Sequence, residues 1–323
     1  MTNKTIRFPY LELEFHPGQT FEIFGIQIAY YSVIIGIAIV VGALVVYGIA
    51  RKTRQNIENY LDFTLCAIPA SIVGARLYFC IFNWEYYAAQ PLTVITGLSE
   101  GGLAIYGAII AAVIALIVFA KVRKCGFWLM ADTACVGLCI GQAIGRWGNF
   151  FNREAFGGYT NSILAMQIPT TEAHGVTREL LLNAYIYNGD SYIQVHPTFL
   201  YESIWNLVLF VILIVITRYK KFNGQTFAVY LFGYGLGRTW IEMLRTDKLL
   251  IMGTSIPASI VVSLTAMVFA SSFFTYKILS RRKASERAGH GGQSASGDSG
   301  ESKANLRIVE EIVKDASEEK NKE

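Results

Sequence analysis

Apolar residues run through this chain in long blocks separated by short polar or glycine-rich intervals, and seven blocks have the length of a membrane-crossing helix. They lie near Ile26–Ala50, Tyr60–Phe82, Leu103–Ala120, Phe127–Ile144, Thr198–Thr217, Thr226–Ile241 and Thr254–Leu279. Crossing the roughly 30 Å hydrocarbon layer takes about 20 predominantly apolar residues. Three of the blocks are short or polar at one end. The pattern predicts an all-α integral membrane protein with seven transmembrane helices.

The polar intervals set its orientation, because cytoplasmic loops carry an excess of lysine and arginine. Arg51, Lys52 and Arg54 follow the first block, Lys121, Arg123 and Lys124 the third, Arg218, Lys220 and Lys221 the fifth, and Arg281, Arg282 and Lys283 the seventh. The loop from Asn83 to Gly102 has neither lysine nor arginine. This alternation places the N-terminus outside and the C-terminus in the cytoplasm. Residues 146–197 then form an extracytoplasmic insertion between helices four and five. Residues 1–280 are read as the transmembrane domain and 281–323 as a cytoplasmic, mostly disordered charged tail. Gly289 to Gly300 has almost nothing to bury, although Leu306, Val309, Ile312 and Val313 recur at helical spacing.

Composition agrees: 53% of the 323 residues are hydrophobic, 16% are charged, and the mean hydropathy is +0.39. The formal net charge is only +4, and the basic residues cluster beside spans, which suits anionic lipid headgroups rather than nucleic acid. The five cysteines are odd in number and fall mostly inside spans, so they read as packing residues rather than as a disulfide framework. Cys135 and Cys139 share a helix face without histidine or carboxylate at ligand spacing, and packing is again favoured over metal. Met1 to Thr20 lacks the basic start and small-residue cleavage site of a signal peptide, so the first span is expected to be retained.

Against this apolar background one polar run stands out. From Gly145 to Gly157 the chain reads Gly-Arg-Trp-Gly-Asn-Phe-Phe-Asn-Arg-Glu-Ala-Phe-Gly. A charge at the edge of hydrocarbon is costly unless it is paired, hydrated or bound to a ligand, so Arg146 and Glu154 with Asn149 and Asn152 between them suggest a site. Arg146 or Trp147 alone could equally be a headgroup anchor. The expected topology puts the other unusual residues at the same outer level: Tyr30 and Tyr31, Arg76, Glu100 to Gly102 with Tyr106, His196 and Glu202. In the sixth block, spacings of 4, 4 and 3 align Tyr234, Arg238, Glu242 and Arg245 on one helix stripe, with Glu242 between two arginines. Such a stripe should face the bundle interior, as a ligand site or as a salt-bridge ladder between helices. Arginines at this depth suit a phosphate carried on an apolar body, such as a phospholipid, because guanidinium binds phosphate in a bidentate fashion. Asp62 and Asp132, near the basic loops, are read as capping or pairing groups.

The run Gly145-Arg146-x-Gly148-Asn149-Phe150-x-Asn152-x-Glu154-x-x-Gly157 resembles the signature of the bacterial prolipoprotein diacylglyceryl transferases. Agreement continues with Tyr31, with Gly74-Ala-Arg76, with His196-Pro197-Thr-Phe-Leu-Tyr201-Glu202, and with Tyr234-Gly-x-x-Arg238-x-x-x-Glu242-x-x-Arg245. The resemblance covers roughly residues 10 to 280. It implies a bacterial cell-membrane enzyme that moves the diacylglyceryl group of phosphatidylglycerol onto the lipobox cysteine thiol of a prolipoprotein. A thioether forms and glycerol 1-phosphate leaves. By the same resemblance Arg146 and Arg238 would hold and neutralise the phosphate, and Asn149, Glu154 and Glu242 would position them or the headgroup. Asn152, Gly157, Tyr31, Arg76, His196, Glu202, Tyr234 and Arg245 complete the expected binding set, and neither metal nor organic cofactor is expected.

One position departs from the family pattern. Where many members carry a histidine proposed as the base, this chain has Tyr106. A phenol with a pKa of about 10 is a poor base for a thiol near about 8.5 unless arginines lower it. Tyr106 is therefore a catalytic candidate that could instead bind substrate while Glu202, His196 or water takes the proton. The competing class is a secondary transporter for an anionic or lipid-like substrate, since intramembrane arginines and carboxylates also mark ion pathways. A carrier should show midplane charges and internal symmetry. Here the charges group on one side and no repeat is visible.

Overall fold

A computed structural model describes residues 5–96, 102–251 and 253–296, so Glu100, Gly101 and the tail segment from Leu306 to Val313 lie outside the described residues. The chain divides into two compact units, Met1–Ser271 and Ser272–Glu323.

Each apolar block forms a helix. They are α1 (Tyr30–Lys52), α2 (Ile57–Phe82), α5 (Ile105–Val122), α6 (Phe127–Asn152), α8 (Thr198–Tyr219), α9 (Gln225–Leu244) and α10 (Ala258–Ser296), with the short helices α3 (Trp84–Ala89), α4 (Thr93–Thr96) and α7 (Arg178–Leu182) between them. Six are long and apolar enough to cross a membrane: α1, α2, α5, α6, α8 and residues Ala258–Lys283 of α10. The chain is thus a mostly helical, integral membrane protein. The exception, α9, has 20 residues and carries the polar stripe, which lowers its hydropathy. It packs against both α6 and α8, so it does not need an apolar surface all round.

Local sequence explains how these helices begin, end and pack. Asn56 caps α2 by accepting from Glu58 N–H at 3.0 Å, and Arg51 and Lys52 complement the C-terminal dipole of α1. Among the spans α6 is the most enclosed, packing on α1, α8 and α9. Small residues bring the backbones together: a Cβ on Gly42 would sit 2.8 Å from the carbonyl of Gly137, and one on Gly74 would sit 2.7 Å from that of Gly107. Cys135 and Cys139 lie in a buried cluster with Ile49, Val136, Leu209, Leu213 and Tyr230. Their thiols donate to the carbonyls of Asp132 and Asn206, both at 3.2 Å. Asp132 accepts from Lys220 Nζ at 3.0 Å and from the N–H groups of Gly224 and Phe227 at 2.8 and 2.9 Å, capping α9 from a neighbouring helix. Asp62 pairs with Arg123.

Two expectations require correction. The protein is not all-α. Strands β1 (Ile6–Phe8), β2 (Leu13–Phe15), β5 (Met166–Pro169), β6 (Tyr185–Tyr187) and β7 (Asp190–Val195) form an antiparallel sheet in the order β2-β1-β5-β7-β6, and β3 (Thr20–Ile23) pairs with β4 (Ile26–Ala29) ahead of α1. Within the sheet Met166 faces Val195 and Ile168 faces Ile193, and Ile6, Phe8 and Leu180 join their core with Phe150 of α6 and Phe199 of α8. This core seats the sheet on the ends of those two helices. The second correction concerns α6, which does not end at Ile144 but continues two turns to Asn152, stopping where Arg153 adopts the left-handed conformation (φ 52°). Arg153 is buried and ties three segments together, donating to the carbonyls of Phe151 and Pro17 at 3.0 and 2.7 Å and pairing with Glu172 at 2.9 Å.

Candidate active site

The extra turns of α6 decide the site. Because the helix persists through the polar signature, Arg146, Asn149 and Asn152 project from regular backbone rather than from a loop. Gly145 and Gly148 are helical too, and a Cβ on Gly148 would fall 2.7 Å from the Tyr31 ring, so that glycine seats α1 against α6. Asn149 and Asn152 donate their amides to Glu154 Oε1 at 2.9 and 3.3 Å, folding the residues after the helix back onto its last turn.

Gly157 and Gly158 then bring in the other two helices. Gly157 N–H donates to the His196 carbonyl at 2.9 Å, and Gly158 N–H donates to the Leu244 carbonyl at 3.0 Å. A Cβ on Gly157 would lie 2.8 Å from both the His196 side chain and the Leu244 carbonyl, so only glycine lets the start of α8 and the end of α9 meet here. Thr198 Oγ1 donates to the Ala155 carbonyl, fixing α8 to the same turn.

Glu202, one turn into α8, is the centre of the resulting ion cluster. Its Oε2 is 2.6 Å from Arg146 Nε, its Oε1 is 2.8 Å from Arg238 Nη1, and Arg245 Nη1 is 3.7 Å from Oε1. Glu242 pairs with Arg238 Nη2 at 2.6 Å and approaches Arg245 Nε at 4.0 Å, so the stripe on α9 braces itself as its spacing predicts. Arg245 also forms a fork with Asp247, at 2.9 and 2.8 Å. Tyr234 interacts electrostatically with Arg146, and Tyr106 at the start of α5 does so with Arg238, Glu242 and Tyr234. Both carboxylates are almost wholly buried, whereas the Arg146 and Arg238 side chains keep 22% and 16% exposure. A planar guanidinium carries five donors, and only part of each fork is spent on these carboxylates. The arrangement can accept a phosphate at the open edges of two arginines held from behind.

Not every expected residue joins this cluster. Arg76 is buried and donates to the carbonyls of Thr93, Val94 and Gly102 at 2.6, 2.9 and 3.3 Å. It anchors the approach to α5 and so places Tyr106. His196 points its Nδ1 to the Tyr201 hydroxyl at 3.2 Å, and burial holds its pKa below the ordinary 6.5. Tyr31 packs on Gly148 and interacts electrostatically with Glu154 and Arg146. Sequence reasoning named Glu202 as a binding group or proton acceptor but not as the shared partner of three arginines. It missed Asp247, whose position two residues after Arg245 is a usable signal, and Asn206, one turn beyond Glu202.

Comparison with known proteins bears on this geometry. Residues 19–276 match the family model described as prolipoprotein diacylglyceryl transferase. A protein of Oceanobacillus iheyensis called phosphatidylglycerol–prolipoprotein diacylglyceryl transferase is 39% identical over 256 residues, covering 78% of this chain and 85% of the relative. Proteins of the same name from Clostridium novyi and Listeria innocua are 42% identical over 235 residues and 38% identical over 258, covering 72% and 79% of this chain and 85% and 88% of theirs. With a polar signature, a charged α9 stripe and a shared carboxylate all inside the matched span, the chain belongs to the prolipoprotein diacylglyceryl transferase family.

Proposed function

We propose that the protein is a multi-pass enzyme of the bacterial cell membrane that transfers the diacylglyceryl group of phosphatidylglycerol to the lipobox cysteine of a prolipoprotein, the first step of lipoprotein maturation. The thiol sulfur bonds to the glycerol carbon that bears the phosphate ester, the carbon–oxygen bond breaks, and glycerol 1-phosphate leaves while the thiol gives up its proton. The observation that carries the assignment of roles is the meeting of Arg146 and Arg238, from separate helices, on the two oxygens of Glu202. Held this way, their outer edges bind the lipid phosphate and offset the charge that grows on it as the bond breaks. Glu242 and Arg245 brace Arg238, Asn149, Asn152 and Glu154 shape the entrance at the end of α6, and Tyr106 and Tyr234 line the headgroup side. His196, Tyr31 and Arg76 act by holding the walls.

We further infer that all seven long helices span the bilayer, with residues 146–197 outside and the tail 281–323 in the cytoplasm. The alternating basic loops and the family's membrane chemistry support that orientation. The cluster sits at the C-terminal ends of α6 and α9 and the N-terminal end of α8, all on one side in that topology, as suits an outer-leaflet lipid headgroup. Purified protein in detergent, given phosphatidylglycerol and a lipobox peptide, should release glycerol phosphate and yield a heavier, thioether-linked peptide. Arg146→Ala and Arg238→Ala should each abolish the reaction while the protein stays folded. Full turnover in either variant removes the phosphate-binding role.

A further inference from the structure

Beside the Glu202–Arg238 pair, α8 and α9 flank a partly open cavity of about 10 Å³, lined by Glu202, Asn206, Tyr234 and Arg238 and by the apolar Trp205, Gly237 and Ile241. That is the room of a single water molecule. Asn206 is 2% exposed, and among the described residues its Oδ1 is buried without a hydrogen-bond partner. An amide oxygen sealed from solvent and left unpaired is destabilising, and a leucine would pack this position without that cost. The cavity is also kept from collapsing. The Trp205 indole lies flush against Gly237, where a Cβ would collide with it, and its Nε1 donates to the Gly233 carbonyl at 2.9 Å. One wall is therefore fixed, and although Trp205, Gly237 and Ile241 make much of the lining apolar, Glu202, Asn206, Tyr234 and Arg238 bring to the same space the two or more polar partners that a bound water needs.

We propose that Asn206 holds one ordered water against the Glu202–Arg238 ion pair. The water donates one hydrogen to Asn206 Oδ1 and the other to Glu202, whose carboxylate has lone pairs beyond those its arginines use. Asn206 is thereby a positioning residue. It touches no substrate and acts by fixing the carboxylate that aims Arg238, so its role rests on the reading of Arg238 as a phosphate-binding group. The water itself does not depend on that reading.

A high-resolution crystal structure of the wild-type protein and kinetics of two variants test this. Density for a water about 2.8 Å from the Asn206 amide is expected in the wild type. Asn206→Leu fills the space and removes the amide, whereas Asn206→Ser leaves room for water and supplies a hydroxyl. With phosphatidylglycerol varied at saturating lipobox peptide, Asn206→Leu should lower kcat about tenfold with KM within about twofold, and Asn206→Ser should recover most of the loss. A dry cavity in the wild type overturns the proposal. So does wild-type kcat in the leucine variant, or a serine variant no better than leucine at equal folded fraction. If Arg238→Ala keeps full turnover while the water is present, the reading of the active site fails and the water site stands.

Discussion

Replacing Glu202 by glutamine removes one charge from the centre of the cluster while leaving its shape. In the wild type Arg146, Arg238 and Arg245 face Glu202, Glu242 and Asp247, three cations against three carboxylates. Glutamine leaves one positive charge unmatched in a region where Glu202 itself is 5% exposed. Removing one member of a buried pair costs about 3–5 kcal/mol. Arg146 and Arg238 retain 22% and 16% exposure, so screening favours the low end, about 3 kcal/mol. That figure is the expected loss of stability; kcat should fall separately by about a hundredfold, the size of losing one preorganised donor, because the arginines are no longer aimed when charge develops on the leaving phosphate. The KM for lipid should stay level or fall, since the surplus positive charge still attracts the phosphate. Initial rates of glycerol phosphate release over a range of phosphatidylglycerol concentrations separate the two parameters. A Glu202→Gln enzyme within threefold of wild-type kcat, or one whose only defect is a raised KM, refutes the bracing role.

Gly157→Ala should destabilise the protein by about 1–3 kcal/mol and lower activity, because its Cβ would press on His196 and on the Leu244 carbonyl; thermal unfolding in detergent measures this, and an unchanged midpoint counts against the close approach. Asp132→Asn should cost about 3 kcal/mol of stability through Lys220 and the start of α9, yet leave kcat/KM of the folded fraction within threefold, since Asp132 lies about 21 Å along α6 from Arg146. Burial lowers the pKa of His196 below 6.5, so as pH falls past that value the unfolded chain takes up a proton that the folded one resists, and stability is lost. His196→Gln should flatten that acid-side decline in melting temperature between pH of about 7 and about 5.5; an identical slope would assign it to other groups. Tyr106→Phe should keep turnover within about tenfold if the phenol only contacts the headgroup, whereas loss beyond about a thousandfold would mark it as the group that takes the thiol proton.

Those perturbations cluster where sequence was informative about residue identity and silent about partners. The spans were legible because hydrocarbon demands uninterrupted apolar length, and α9 was legible despite its charges because spacings of 4, 4 and 3 confine them to one side. The same reasoning placed the end of α6 eight residues early. Polar residues from Gly145 onward look like an exit from the membrane, yet they face α8, α9 and the insertion, so the helix has no reason to stop before Arg153. The sheet was invisible for a different reason: its strands have three to six residues, and Arg7 pairs with Gln167, 160 residues further along the chain.

Site residues divide along the same line. An arginine within a span announces itself by its cost, and Arg146 and Arg238 share Glu202. Arg76 carried the same signal and is satisfied instead by the carbonyls of Thr93, Val94 and Gly102, because backbone oxygen can meet a guanidinium's hydrogen-bonding needs. Which of these outcomes a given arginine takes depends on the azimuth of neighbouring helices, fixed here by Gly148 against Tyr31 and by Gly157 between α8 and α9. The glycines of the signature thus decide which carboxylate the arginines share. A substitution that rotates α8 by one helical position would separate Glu202 from Arg146 without changing a single charged residue.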